Sequence, residues 1–104
     1  MSVYISGPIT GLPDLNYPAF HAAAAELRAL GWVVINPAEN PEPCPNPTWD
    51  DWMRISLDQV RSASLLALLP GWERSKGARL EVETARELGI PCFALRMSWR
   101  ARRG

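Results

Sequence analysis

The residues able to do chemistry concentrate in one segment, Gly71 to Glu83, with the sequence GWERSKGARLEVE. Ser75, Lys76 and Gly77 lead into a run of helix formers that carries Glu81 and Glu83. At 1.5 Å per residue, Glu81 lies about 9 Å along a helix axis from Ser75. Glu83, two residues further on and roughly 200° round the helix, cannot share its face. Glu83, Arg86 and Glu87 have the i, i+3 and i+4 spacing of an ordinary solvated surface. Glu81 instead shares a stripe with Ala78, Ala85 and Leu88, the side a helix turns toward a sheet. A carboxylate among apolar positions is costly unless it has partners or a purpose. Glu81 is therefore either an acid held in a structural ion pair or a carboxylate presented to a ligand.

The step before it has two readings as well. Ser75 can cap the helix, Gly77 lets a ligand approach the backbone, and free N–H groups with the helix dipole favour a phosphate. Alternatively Ser75 is an N-cap and nothing more. Trp49 and Trp72 flank this region and either stack on a base or anchor loops. Asp50 and Asp51 suit the acidic preference of a helix start, and Asp58 is the remaining acid ahead of the third strand. The lone His21 sits among alanines and reads as structural. Cys44 and Cys92 have no metal-ligand spacing and form no CxxC pair, so no metal site is expected. Neither GxGxxG nor GxxxxGK[ST] occurs, which leaves a dinucleotide cofactor and a P-loop unsupported. No cofactor is expected.

These residues must be positioned by the elements around them. SVYISG (2–7) is a short β-rich run closed by Gly7-Pro8. From Tyr17, YPAFHAAAAELRALG spaces Phe20, Ala23 or Ala24, Leu27 and Leu30 as one helix face and stops at Gly31. WVVINP (32–37) is a second strand. AENPEPCPNPT holds four prolines in eleven residues and cannot be regular; such excursions often border a site. A helix follows over 48–63, capped by Thr48 or Asn46. SLLALLP (64–70) is a third strand, apolar throughout and so covered on both faces. The helix carrying Glu81 ends at Gly89, and IPCFALR (90–96) is a fourth strand.

Strands alternating with helices imply a doubly wound α/β domain with a four- to five-stranded, mostly parallel sheet of Rossmann-like or flavodoxin-like type. Ligands in such sheets bind beyond the carboxyl ends of the strands, at the switch point of strand order. There the loop GPITG, the proline segment and PGWERSKG converge.

Composition sets the outer bounds. The chain has 104 residues, a hydrophobic fraction of 47% and a charged fraction of 21%, as expected of one globular domain. Eleven basic residues balance eleven acidic ones, so no global field points to nucleic acid or a membrane. The basic residues cluster late, in RMSWRARRG, which divides the chain into a domain over 1–97 and a tail over 98–104. That tail is either solvated or touches an anion. The N-terminus lacks the pattern of a signal peptide, and no apolar stretch approaches the roughly 18 residues needed to span a bilayer. A cytoplasmic, reduced setting is expected.

Three segments taken together carry a family resemblance: VYISGPITG with the Tyr-Pro-Phe helix after it, VINPAEN, and LLPGWERSKGARLEVETARELGIP. The chain resembles the nucleoside 2-deoxyribosyltransferase-like superfamily over roughly residues 3 to 94, most closely a branch of small phage and bacterial proteins. That superfamily includes 2'-deoxynucleoside 5'-phosphate N-glycosidases. The SxGxxxExxxA pattern of Ser75, Gly77, Glu81 and Ala85 is the most specific part.

The resemblance implies that Glu81 is a carboxylate nucleophile attacking the anomeric carbon of a deoxyribose, with water or a second base resolving the ester. It implies a small deoxynucleoside or deoxynucleotide as partner, and a homodimer or higher homo-oligomer. It places Pro8, Ile9, Thr10 and Gly11, after Gly7, with Ser75 and Gly77 around a 5'-phosphate, and makes Tyr4 a pocket aromatic. Two aspartates usual in the family fall on Ser56 and Ser64. Serine is no general acid at neutral pH, so Asp58 or Asp51, or its neighbour Asp50, is left as proton-donor candidate. The first-loop arginine of phosphate-specific members is Thr10 here, which weakens the case for a nucleotide over a nucleoside.

Overall fold

The computed structural model describes residues 2–96; the basic tail over 98–104 lies outside the described residues. Strands β1 (Ser2–Ser6), β2 (Val33–Ile35), β3 (Leu65–Leu68) and β4 (Cys92–Ala94) alternate with helices α1 (Tyr17–Ala29), α2 (Trp49–Ser62) and α3 (Lys76–Glu87). The sheet has the order β2-β1-β3-β4 and every pairing is parallel. This is the α/β architecture expected from the alternation of elements.

Strand pleating sends successive side chains to opposite faces. Val3, Ile5, Val34, Ala67 and Leu69 meet Phe20, Ala23, Ala24 and Leu27 of α1 on one side. Tyr4, Leu66 and Leu68 meet Val60 of α2 with Val82 and Ala85 of α3 on the other. With helices on both faces, β3 has no polar side to show, which is why its sequence is apolar without alternation. The small residues of α1 let that helix lie close to β1. The two edge strands depart from full cover: Val33 of β2 and Phe93 and Ala94 of β4 are exposed.

The helix ends correct two expectations. Leu30 and Leu88, each read as continuing a packed stripe, are 76% and 53% exposed. Both are C-caps, followed by Gly31 and Gly89 at φ +95 and +75. The chain turns away from the sheet there, and the stripe ends one turn earlier. Of the two candidate caps for α2, Thr48 is used: its hydroxyl accepts from the Asp51 N–H, and the Asp51 carboxylate accepts from the Thr48 N–H. This reciprocal pair starts a helix immediately after the proline segment.

The crossover from β1 runs outward to β2, while that from β3 runs outward to β4. The loops leaving these two neighbouring strands therefore diverge, opening a crevice at their carboxyl ends. The loop after β1 is braced by Asn16, whose amide donates to the Pro8 carbonyl at 2.9 Å.

Candidate functional site

Glu81 lies in that crevice. Ser75 caps α3 by accepting from the Ala78 N–H at 3.2 Å, and Gly77 lets the helix approach α2 closely. A Cβ at Gly77 would stand 3.2 Å from the Met53 sulfur. So placed, α3 presents Ala78, Glu81, Val82 and Ala85 to the sheet, and Glu81 is only 7% exposed. Among the described residues no cation pairs with it. The Tyr4 hydroxyl donates to Oε2 at 2.9 Å and the Ser6 hydroxyl donates to Oε1 at 2.6 Å. Tyr4 and Ser6 alternate along β1, so both point to the α2–α3 face, and one carboxylate spans them.

Burial dominates the protonation of this group. It pushes the Glu81 carboxyl up from 4.5 to about 7, against the hydroxyls of Ser6, Tyr4 and Ser56, which favour the ionised form. Burial also drives the Tyr4 phenol well above its usual value, and the neighbouring Glu81 charge adds to that. Tyr4 is thus a permanent donor at any working pH.

The crevice is a cleft of about 550 Å³. Its rim after β1 is Gly7, Pro8, Ile9 and Thr10, and its α2 wall is Trp49, Trp52, Met53 and Ser56. Tyr17 and Phe20 come from α1, Asn40 from the segment after β2, and Arg74, Ser75, Lys76 and Gly77 from the approach to α3. Glu81 is the one carboxylate among the described residues lining it. Lys76 lies over the Trp49 ring, its ammonium 4.5 Å from the centroid. The cleft therefore offers one buried acid, flat aromatic faces and two cations.

The structure brings together Tyr4, Gly7, Pro8, Ile9, Thr10, Ser56, Ser75, Gly77 and Glu81 from the sequence-derived set, with Trp49. Others do not reach the cleft. Ser64 precedes β3 at the opposite end of the strands, where its hydroxyl accepts from the Ser2 N–H at 3.3 Å. Trp72 packs against the core between the sheet and α3. Gly11 is exposed beyond the rim, and His21 is exposed on α1.

The proton-donor candidates also lie elsewhere. Asp58 is exposed and paired with Arg61 at 2.8 Å, because Met53, Ser56 and Val60 define the inward face of α2 and Asp58 falls off it. Asp51 is engaged in the helix cap, which holds its carboxyl below the usual range. Asp50 is exposed beside it.

Several cleft residues escaped the sequence reading. Ser6 carried a signal, since it stands two residues from Tyr4 on a strand and must share its face. Trp52 and Met53 follow Trp49 at helical spacing. Arg74, Lys76 and Asn40 lie in segments expected to converge at the crevice, but nothing in the sequence says that these side chains turn into it, because their direction depends on loops. No group of three or more His, Cys, Asp or Glu residues converges on a metal position among the described residues. Nor is any described helix long and apolar enough to cross a membrane.

Comparison with known proteins adds the following. Residues 1–94 match the family model described as Domain of unknown function (DUF4406), and the chain belongs to that family. Among solved structures, it is similar to a 2-deoxyribosyltransferase from the psychrotolerant bacterium Bacillus psychrosaccharolyticus, with a TM-score of 0.73 and 19% identity. The similarity covers 90% of this chain and 71% of that one. It establishes a shared fold. No curated protein matches the sequence.

Proposed function

We propose, from this fold and this cleft, that the protein cleaves or transfers across the N-glycosidic bond of 2'-deoxynucleosides or their 5'-monophosphates, with Glu81 as nucleophile. One observation carries the reading. A buried carboxylate, held by two β1 hydroxyls, lies at the switch point of the sheet in a cleft of the size of a nucleoside site.

In the reaction, an ionised Glu81 oxygen attacks C1' of the sugar. The bond from C1' to the base nitrogen breaks, and its electron pair leaves with the base, which takes a proton from water. Water then opens the glycosyl ester, or a second base does so, and the carboxylate is regenerated. Tyr4 and Ser6 fix the carboxylate through both oxygens, so that it meets the sugar in one orientation. Trp52 supplies a face on which a base can stack. Arg74, Lys76 and Ser75 suit a 5'-phosphate and fill the role that Thr10 cannot. Leu30, Val33 and Leu88 are apolar and more than half exposed, which fits a homodimer or higher homo-oligomer that would cover them.

The test is release of free base from a panel of deoxynucleosides and monophosphates, followed by mass detection. Wild type should release base from at least one member, and Glu81→Gln should reduce release to background. No release by wild type, or equal release by the variant, refutes the reading. The lack of a second carboxylate among the described cleft residues favours one alternative, a nucleoside- or nucleotide-binding module. It would be stabilised by ligand without turnover.

A further inference from the structure

The loop between β1 and α1 takes a backbone path that its residue types resist. Asp14, Leu15 and Asn16 follow one another at φ +50, +54 and +59. In this left-handed region an L side chain crowds the next carbonyl, and apart from glycine only asparagine and aspartate visit it routinely, as single residues. A leucine there, between two other left-handed residues, is an outlier. The next residue adds to the strain. Tyr17 has the right-handed helical values φ −58 and ψ −37 directly before Pro18, whose ring disfavours that region for its predecessor. Four consecutive residues are thus held in conformations they disfavour.

Little in the fold imposes this path. No residue of Pro13–Asn16 is buried. Among the described residues, the one side-chain hydrogen bond made by this stretch is that of Asn16 to the Pro8 carbonyl. The Leu15 N–H donates to the Leu12 carbonyl, and the Tyr17 N–H to the Asp14 carbonyl, so these bonds close the turn on itself. Ahead of it, Gly11 turns at φ +83 with open space around it. Strained backbone with few contacts to hold it belongs to the segments of a fold that move most readily.

The same stretch stands at the cleft. Thr10 before it and Tyr17 after it line the cleft, and so does Leu15. Leu15 is nevertheless 48% exposed, and Leu12 beside it 40%. An apolar side chain on a cleft rim, half in water, gains by covering whatever enters the cleft.

We infer that Leu12–Asn16 is a lid that closes over an occupied cleft, laying Leu15 on the ligand and releasing its left-handed strain as it moves. Gly11 and the junction of Asn16 with Tyr17 are its hinges. Closure would carry Leu15 toward Trp52 and Met53 of the α2 wall and exclude bulk water from Glu81. The inference rests on the reading of the cleft as a nucleoside site for the ligand that closes the lid.

Hydrogen exchange read by mass spectrometry tests this, on the Glu81→Gln protein so that no turnover intervenes. The probes are the four common deoxynucleosides and their 5'-monophosphates, with dissociation constants measured by calorimetry. A bound probe should slow exchange over residues 11–17 by roughly tenfold or more. Leu15→Ala should raise the dissociation constant about fivefold, as expected for the exposed half of a leucine side chain. Asp14→Gly accepts the positive φ without strain and so favours the open form. It should raise the melting temperature of the ligand-free protein and weaken binding by about threefold.

Binding with no change in exchange over 11–17 overturns the inference and leaves the nucleoside reading intact. So does protection with a dissociation constant unmoved by Asp14→Gly, which describes a fixed rim that the ligand touches. Protection present without ligand and growing with protein concentration also overturns it, because a second copy then covers the leucines. Closure without base release by wild type sinks only the catalytic reading. No binding of any probe overturns both.

Discussion

Replacing Glu81 by glutamine isolates the energetic consequence of burying its charge. The carboxyl holds its proton up to about pH 7 in the folded protein, against 4.5 for the free group. Between these values the folded state binds more proton than the unfolded state, so wild-type stability falls as pH rises through this window. Above pH 7 the full cost is present, about 3 kcal/mol at 1.36 kcal/mol per unit of pKa. Glutamine keeps the shape and cannot ionise. Its amide nitrogen does, however, face a hydroxyl that now donates to a carboxylate oxygen, so Tyr4 or Ser6 must rotate to accept, at a cost of about 1 kcal/mol.

The net expectation is that Glu81→Gln stabilises the protein by roughly 2 kcal/mol at pH 8, or on the order of 10 °C in Tm for a domain of this length. By pH 5 the gain should vanish or reverse. Thermal unfolding followed by circular dichroism at pH 5, 6, 7 and 8 measures this directly. A difference independent of pH, or a variant less stable than wild type at pH 8, would refute the reasoning. It would mean that the hydroxyls of Ser6, Tyr4 and Ser56 stabilise the carboxylate more than burial penalises it. A variant that gains stability as it loses base release would show directly that the site holds its acid at the expense of the fold.

Because the attacking group is the ionised form, kcat/KM should rise with pH through about 7 and then level off; a profile flat from pH 5 to 9 contradicts this. Ser6→Ala and Tyr4→Phe each remove a donor to the carboxylate, so both should move that rise to higher pH. Ser6→Ala should move it further, Ser6 being the stronger of the two stabilising partners. A monophosphate should raise the melting temperature more than its parent nucleoside, and Arg74→Ala with Lys76→Ala should erase the difference; equal shifts in wild type exclude a phosphate role. Gly7→Ala would place a Cβ 2.7 Å from the Leu69 Cβ, inside the core, and should cost roughly 1–3 kcal/mol in urea unfolding. Gly77→Ala meets the flexible Met53 thioether at 3.2 Å and the Trp49 Nε1 in ordinary contact at 3.9 Å, and gains helix propensity of up to about 1 kcal/mol, so it should be near neutral.

Much of this molecule is determined locally. The apolar runs of β1 and β3, the stops at Gly31 and Gly89, and the Ser75 cap depend on residues near them in the chain. From these follow the order of elements, the parallel sheet and the location of the cleft. The inward position of Glu81 follows too, since helical spacing alone puts it with Ala78 and Ala85 and leaves Glu83 outside, although it also counted Leu88, which is exposed. What the sequence could not settle was direction across elements. Ser64 leads into the third strand, so in a parallel sheet it lies at the amino end, away from a crevice at the carboxyl ends, and the family position it was matched to does not carry over. Asp58 is outside and Ser56 inside because the roll of α2 about its axis is set by packing Met53 and Val60 against the sheet. Arg74, Lys76 and Asn40 enter the cleft through loops whose path no periodicity describes. The sequence by itself made Glu81 a buried acid. Only the tertiary structure gave it hydroxyl partners in place of a cation, because Tyr4 and Ser6 lie seventy-seven and seventy-five residues away and are brought there by the sheet.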